Sequence, residues 1–246
     1  MILLSKILNM RHFILLSFII ISSCDSFNSQ EISLFNGSNF NGWEGENQFF
    51  RIENKAIVGG SLKSVIDKSY YLCTDSTFEN FELSLEVKFN TKNLNVNGGI
   101  SFRADRVPDS HEVMGYQADV GYIDINAIPR FSRFKPISDK DIYPLWGSLV
   151  DENRIDTSIY PNPEIFPVIF HTLSDEGLIE KIINPHDWNK ISILANKNNL
   201  EIRINDILTS SYVEKNSLST KGKICLQVHS GEKFEVWYRN IFLKTI

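Results

Sequence analysis

The chain of 246 residues carries 25 Lys and Arg against 30 Asp and Glu, for a formal net charge of −5. That balance argues against a nucleic-acid partner, whose binding needs clustered cations. The length suits one large all-β domain, and no internal repeat or low-complexity linker divides it.

At the start, Lys6, Arg11 and His12 precede an apolar run from Phe13 to Ile21 that closes on Ile21-Ser22-Ser23-Cys24. A charged segment, an apolar stretch too short to span a bilayer and small residues before a cysteine predict a lipoprotein signal over residues 1–23. Cys24 is then the lipidated first residue of the mature chain, residues 24–31 form its N-terminus and tether, and residues 32–246 form the domain. A plain secretory signal is the alternative, and the signal reads better from Met10. Either way the expectation is export to a bacterial periplasm or cell envelope, with the membrane met only through the lipid. No later stretch is apolar enough to cross a membrane.

Strand signals then dominate. Phe81, Leu83, Leu85, Val87 and Phe89 alternate with Glu82, Ser84, Glu86 and Lys88, the period of a half-buried strand. Residues 98–105 (GGISFRAD) and 115–122 (GYQADVGY) alternate too. Residues 123–188 do not: they hold most of the prolines and show little periodicity, which predicts long functional loops. Alternation resumes at Ile191, Ile193 and Ala195, turns at Asn198-Asn199, and returns through Leu200, Ile202 and Ile204 to a tight turn at Asn205-Asp206. Ile224, Leu226 and Val228, a Ser230-Gly231 turn and a last strand from Phe234 to Leu243 complete the chain. Many short strands and no four-turn amphipathic helix predict an all-β sandwich or jelly roll of two antiparallel sheets. Phe81, Leu83, Leu85, Ile100, Phe102, Ile193, Ile202, Leu226 and Val228 are the expected core. Export permits a Cys73–Cys225 disulfide, but the hydrophobic neighbours suit buried thiols equally well.

Three strands carry an unusual second face. Opposite Ile100, Phe102 and Ala104 lie Ser101, Arg103 and Asp105. Opposite Tyr116, Ala118 and Val120 lie Gln117 and Asp119. Opposite Ile224, Leu226 and Val228 lie Cys225, Gln227 and His229. These are short hydrogen-bonding and titratable groups rather than the Lys, Glu and Thr of a solvated face. If the strands are neighbours, Arg103, Gln117, Asp119, Gln227 and His229 converge on one surface, as in a sugar-binding or catalytic face.

At this point the residues carry a family resemblance. SLFNGSNFNGW (33–43), NGGISFR (97–103), GYQADVG (115–121), WGSLVDENR (146–154), HDWNKISI (186–193) and GKICLQVHSGEKFEVWYRNIFLK (222–244) run in the order of the 3-keto-disaccharide hydrolases. That family is also described as 3-keto-glucoside 1,2-lyase and 3-keto-2-hydroxy-glucal hydratase. The resemblance spans almost all of the chain after the signal. It implies a concanavalin-like jelly roll acting on oxidised sugars outside the cytoplasm. Two departures stand out: Gln117 where many relatives have Glu, and Leu149 and Val150 where relatives tend to have an aromatic.

The implied chemistry removes the C2 proton, made acidic by the C3 ketone, expels the C1 substituent by β-elimination and adds water to the enone. It needs a base, a group that stabilises the enolate and an acid for the leaving oxygen. His229 is the expected base, since its ordinary pKa lies near working pH. Arg103 is expected to stabilise the enolate, and Asp119 to orient His229 or act as second acid–base group. Tyr116, Gln117 and Gln227 join the expected substrate-binding set, with Glu112, Asp151, Glu152 and Arg154 in rim loops. His, Asp and Glu in proximity suggest a possible divalent metal acting on the ketone, without a ligand motif to specify it. The alternative is a non-catalytic, lectin-like glycan-binding module. Of Trp43, Trp146, Trp188 and Trp237, Trp146 is the one expected to stack on a sugar.

Overall fold

The computed structural model describes residues 30–127, 141–154, 168–216 and 220–246. In chain order the elements are β1 (Glu31–Ser33), β2 (Trp43–Gly45), β3 (Phe50–Glu53), β4 (Ala56–Gly60), β5 (Tyr70–Thr74), β6 (Phe81–Asn90), β7 (Asn97–Arg106) and β8 (Val113–Asp124). They continue with β9 (Ile142–Pro144), β10 (Leu149–Glu152), β11 (Val168–Thr172), α1 (Glu176–Ile182), β12 (Asn189–Asn196), β13 (Asn199–Ile204), β14 (Ile207–Val213), β15 (Lys223–Val228) and β16 (Glu235–Thr245). One antiparallel sheet runs β14-β13-β12-β6-β16-β4-β3, with β1 on β16. The other runs β11-β10-β8-β7-β15-β5-β2, with β9 on β8.

The expected two-sheet jelly roll is the observed fold. All nine residues expected in the core are buried, none more than 1% exposed. The period-two pattern of β6 puts Phe81, Leu83, Leu85 and Val87 on one face, where they meet Ile100, Phe102 and Leu226 of the second sheet. Asn205 and Asp206 close the β13–β14 hairpin at φ +49° and +68°, the conformation that Asn and Asp tolerate. The β12–β13 turn falls on Lys197 and Asn198, one residue before the expected pair. Asn80 fixes it there, its Oδ1 accepting from the Lys197 amide at 2.7 Å.

Residues 123–188 are not simply loops. β10 inserts beside β8, and β9 pairs with the end of β8. β10 lacks alternation because both its faces are enclosed: Leu149, Val150 and Asp151 are all buried. The helix α1 starts at Asp175, whose Oδ1 accepts from the Leu178 amide at 2.7 Å, and buries Ile179 in the core.

Cys73 on β5 lies directly opposite Cys225 on β15, and the two form a disulfide across 152 residues of chain. Replacing both by Ser should cost about 2–4 kcal/mol, because the unfolded chain regains the entropy of a long open loop. Urea denaturation of the double variant beside wild type measures this; an unchanged midpoint would mean that the bond does not stabilise the fold.

Candidate active site

Strand parity brings four of the expected site residues together on the outer face of the second sheet. Gln117 and Asp119 come from β8, Gln227 from β15 and Glu152 from β10. Gln117 occupies the centre. Its Nε2 donates to Asp119 Oδ1 at 2.8 Å and lies 3.3 Å from both Glu152 Oε1 and Gln227 Oε1, while its Oε1 accepts from Ser101 Oγ at 2.8 Å. Gln227 donates to the Tyr71 hydroxyl at 2.7 Å, and that hydroxyl donates to Glu152 Oε2 at 3.0 Å. Gly99 makes this packing possible: a Cβ there would stand 2.3 Å from the Gln117 amide carbon.

The two carboxylates are held far from their ordinary protonation behaviour. Asp119 is pushed up to about 7 by burial, partly offset by the Gln117 hydrogen bond. Glu152 is pushed up to about 8, first by burial and then by the Asp119 charge; the Tyr71 hydrogen bond opposes this, and the Glu112 and Asp151 charges add to it. Burial also drives the Tyr71 phenol well above the usual tyrosine value. Within the cluster Glu152 is only partly buried, whereas Ser101, Gln117, Asp119, Gln227 and Tyr71 are almost fully enclosed. Glu112 stands at the β7–β8 hairpin as expected of a rim residue, with His111 Nε2 at 3.2 Å from its carboxylate.

Other expected members lie elsewhere. Arg103 sits at a β-bulge, with φ +48° and a register shift between Phe102 and Asp105. The extra residue reverses parity, so Ala104 takes the outer face beside Tyr71 and the disulfide. Arg103 instead donates to the carbonyls of Glu79 and Lys197 and lies 3.3 Å from Asn80 Oδ1, tying β7 to the ends of the facing sheet. Trp146 is no sugar platform: it is 1% exposed and packs edge-on to Phe89 in the core.

Tyr116 and Asp151 pair across β8 and β10 on the core side, opposite in parity to Gln117 and Glu152. There Arg154 covers the Tyr116 ring at 3.8 Å and its Nε lies 3.0 Å from Asp151 Oδ1. His171 Nε2 is 3.4 Å from Asp151 Oδ2. The Tyr116 hydroxyl donates to Glu214 at 2.6 Å. Asp151 and Glu152 are therefore strand residues facing opposite ways, not neighbours in a rim loop.

His229 follows the end of β15, two positions past Gln227, as Asn97 stands two positions before Gly99 on β7. Both line a cavity of about 820 Å³ with Asp67, Tyr122, Asp124 and Glu232. His229 Nδ1 lies 2.9 Å from the Ser230 carbonyl oxygen, and Asp119 bonds Gln117 rather than orienting the imidazole. Among the described residues no three His, Cys, Asp or Glu side chains gather to hold a metal. Cys24 and the signal lie outside the described residues.

Sequence reasoning missed Tyr71 and gave Ser101 no role. Both were accessible: Tyr71 and Cys73 alternate with Tyr70, Leu72 and Thr74 as Cys225 and Gln227 do with their apolar neighbours.

A two-sheet jelly roll with a carboxylate–amide cluster on one sheet face is the architecture, and the family match makes it a carbohydrate-active protein. The chain belongs to the family of the 3-keto-alpha-glucoside-1,2-lyase-like domain, whose model matches residues 30–244. Among curated proteins none matches it. It is similar in fold to a Parabacteroides distasonis protein assigned to the glycosyl hydrolases, at 20% identity and TM-score 0.56, with 88% of this chain and 94% of that one covered. It is also similar to the carbohydrate-binding module CBM66 of Bacillus subtilis, at 13% identity and TM-score 0.53, over 83% of this chain and 96% of that one. A galectin-like Bacillus subtilis protein of unknown function aligns at 11% identity and TM-score 0.54, over 88% and 94%.

The raised carboxylates make stability depend on pH. Between about pH 4 and pH 8 the folded chain keeps protons that the unfolded chain releases, so folding stability falls as pH rises through that window. Glu152→Gln should therefore raise the Tm by several degrees at pH 8 and hardly change it at pH 4. Each kcal/mol corresponds to roughly 2–4 °C in a domain of this size. Calorimetry at the two pH values checks it; equal effects at both would contradict the burial-driven shift.

Proposed function

We propose that the protein cleaves 3-keto-glycosides by C2-proton abstraction, β-elimination at C1 and rehydration, a net hydrolysis. The observation that carries this reading is the Asp119–Glu152 pair, two linked carboxylates poised near neutral pH on one sheet face. A general base works best when its pKa lies near the operating pH. The Asp119 charge acts on Glu152, and the pair is the proton acceptor. Its ionised member takes the C2 proton, and the bonding electrons move into the C3 ketone as an enolate. The Tyr71 hydroxyl and a Gln117 N–H, freed from Glu152 as the carboxyl takes up the proton, supply neutral donors in the role expected of Arg103.

Collapse of the enolate forms C1=C2 and breaks the bond from C1 to the leaving oxygen. His229, on a cavity wall two strand positions past Gln227, gives that oxygen its proton. Water then adds across the enone: hydroxide goes to C1, the carboxyl proton returns to C2, and the water proton restores His229. No step is routed through a metal. Asp119 and Glu152 converge on an amide nitrogen, a hydrogen-bond donor, which is not the donor set of a divalent cation. Loss of turnover after dialysis against EDTA, restored by a divalent ion, would bring the metal back.

Incubation with a 3-keto-glucoside, following free aglycone, tests the reading. Wild type should release product, and Asp119→Asn, Glu152→Gln and His229→Ala should each lose about 10²–10⁴-fold in rate. A variant with near-wild-type turnover removes that residue from its role. Binding of the keto sugar without turnover would favour the lectin-like alternative, which the mutual hydrogen bonding of the cluster also accommodates.

Export as a lipoprotein is part of the same proposal, and the Cys73–Cys225 disulfide supports an oxidising compartment. Cys24→Ser should abolish lipid labelling in cells; persistent labelling would sink the lipoprotein-signal assignment.

A further inference from the structure

Beside the His229 cavity lies a second one of about 470 Å³, formed mainly by Leu94, Ile142, Pro144, Ile179 and Ile183. The two share Tyr122 as a common wall. Their adjacency follows from strand pairing. On β8, Tyr122 and Asp124 border the His229 cavity, and their partners on β9, Pro144 and Ile142, border the apolar one. The segment before β7 divides in the same way, with Leu94 in the apolar cavity and Asn95 and Asn97 in the other. A chamber that carries Asn97, Asp124 and His229 beside Val65, Ile66 and Ile123, two strand positions from Gly99 and Gln227 in register, thus shares a wall with a more apolar one.

We infer that the apolar chamber receives the leaving group, and that the preferred substrates are glycosides of aryl or similarly apolar aglycones. This rests on the hydrolase reading for its catalytic half. The sugar needs polar partners, which the Asn97, Asp124 and His229 side supplies. An aromatic aglycone beyond the glycosidic oxygen gains by entering a chamber walled by Leu, Ile and Pro, through apolar burial and contact with the Tyr122 ring. Asp141 and Glu180 also line this chamber, which disfavours an anionic leaving group.

The test compares p-nitrophenyl and methyl glucosides by calorimetric binding, and their 3-keto forms by turnover. Wild type should bind the aryl compound at least about tenfold more tightly, the scale of a few buried methylene equivalents. Leu94 is 42% exposed, so Leu94→Asp should fold while placing a charge in the apolar wall and pulling the aryl-to-methyl ratio toward one. A ratio near one in wild type, or a high ratio that Leu94→Asp leaves untouched, overturns the inference. Turnover of the methyl 3-keto-glucoside without aryl preference leaves the hydrolase reading standing and removes this one. Aryl preference that responds to Leu94→Asp, with no turnover of either keto sugar, supports the chamber and removes the hydrolase reading.

Discussion

One amide nitrogen organises the outer face of the second sheet. Gln117 Nε2 is within 3.3 Å of an oxygen from Asp119, Glu152 and Gln227 at once, which places two carboxylates within reach of one neutral donor. Two carboxylates, one buried and one half-buried, with no cationic side chain paired to either among the described residues, are unstable as a doubly ionised pair, so at least one keeps its proton near neutral pH. Everything around the amide serves its position. Gly99 leaves room beneath it, Ser101 fixes its carbonyl end, and Tyr71 closes the ring from Gln227 to Glu152. A group with a pKa near 7 is costly to bury and suited to moving protons.

The strands that carry the cluster are two-sided in a demanding way. On β8 and β10, odd and even positions send polar groups in opposite directions. Gln117, Asp119 and Glu152 face outward, while Tyr116 and Asp151 face the core side with Arg154 and His171. The second group binds β10 to the interior through an ion pair and a cation–ring contact, which holds Glu152 in register on the other face. Asp151 also acts on its neighbour through charge, as one of the influences that raise Glu152. The backbone between them separates two electrostatic environments that still feel each other.

How far the sequence revealed this follows from how faithfully each strand kept its period. β8 and β15 alternate without interruption, so Gln117, Asp119 and Gln227 were placed correctly by parity alone. β7 alternates in sequence but not in space, because the bulge at Arg103 inserts a residue, and nothing in GGISFRAD signals a positive φ at an arginine. β10 was invisible as a strand, since Leu149 and Val150 face opposite ways, as do Asp151 and Glu152, so neither face reads as wholly apolar or wholly polar. Trp146 looked like an exposed aromatic because it sits in a proline-rich, aperiodic stretch. It is core because the segment folds back against Phe89. The core itself was legible throughout, since burial between two sheets leaves a period-two record that no loop can erase.

The glutamate that the family resemblance leads one to expect at position 117 would have a physical consequence in this geometry. A carboxylate at that position would bring a third acidic group within hydrogen-bonding distance of Asp119 and Glu152. Three such groups in a low-dielectric site require a bound cation or additional protons to coexist. The amide removes that requirement: its nitrogen supplies the positive end of a dipole, and its oxygen turns toward the Ser101 hydroxyl. With glutamine at 117 the cluster holds its proton among its own side chains, Asp119, Glu152, Gln117, Gln227 and Tyr71. Burial sets the basicity of the carboxylate pair, with the Asp119 charge adding to it at Glu152, and in the proposed C2-proton abstraction this pair takes the proton.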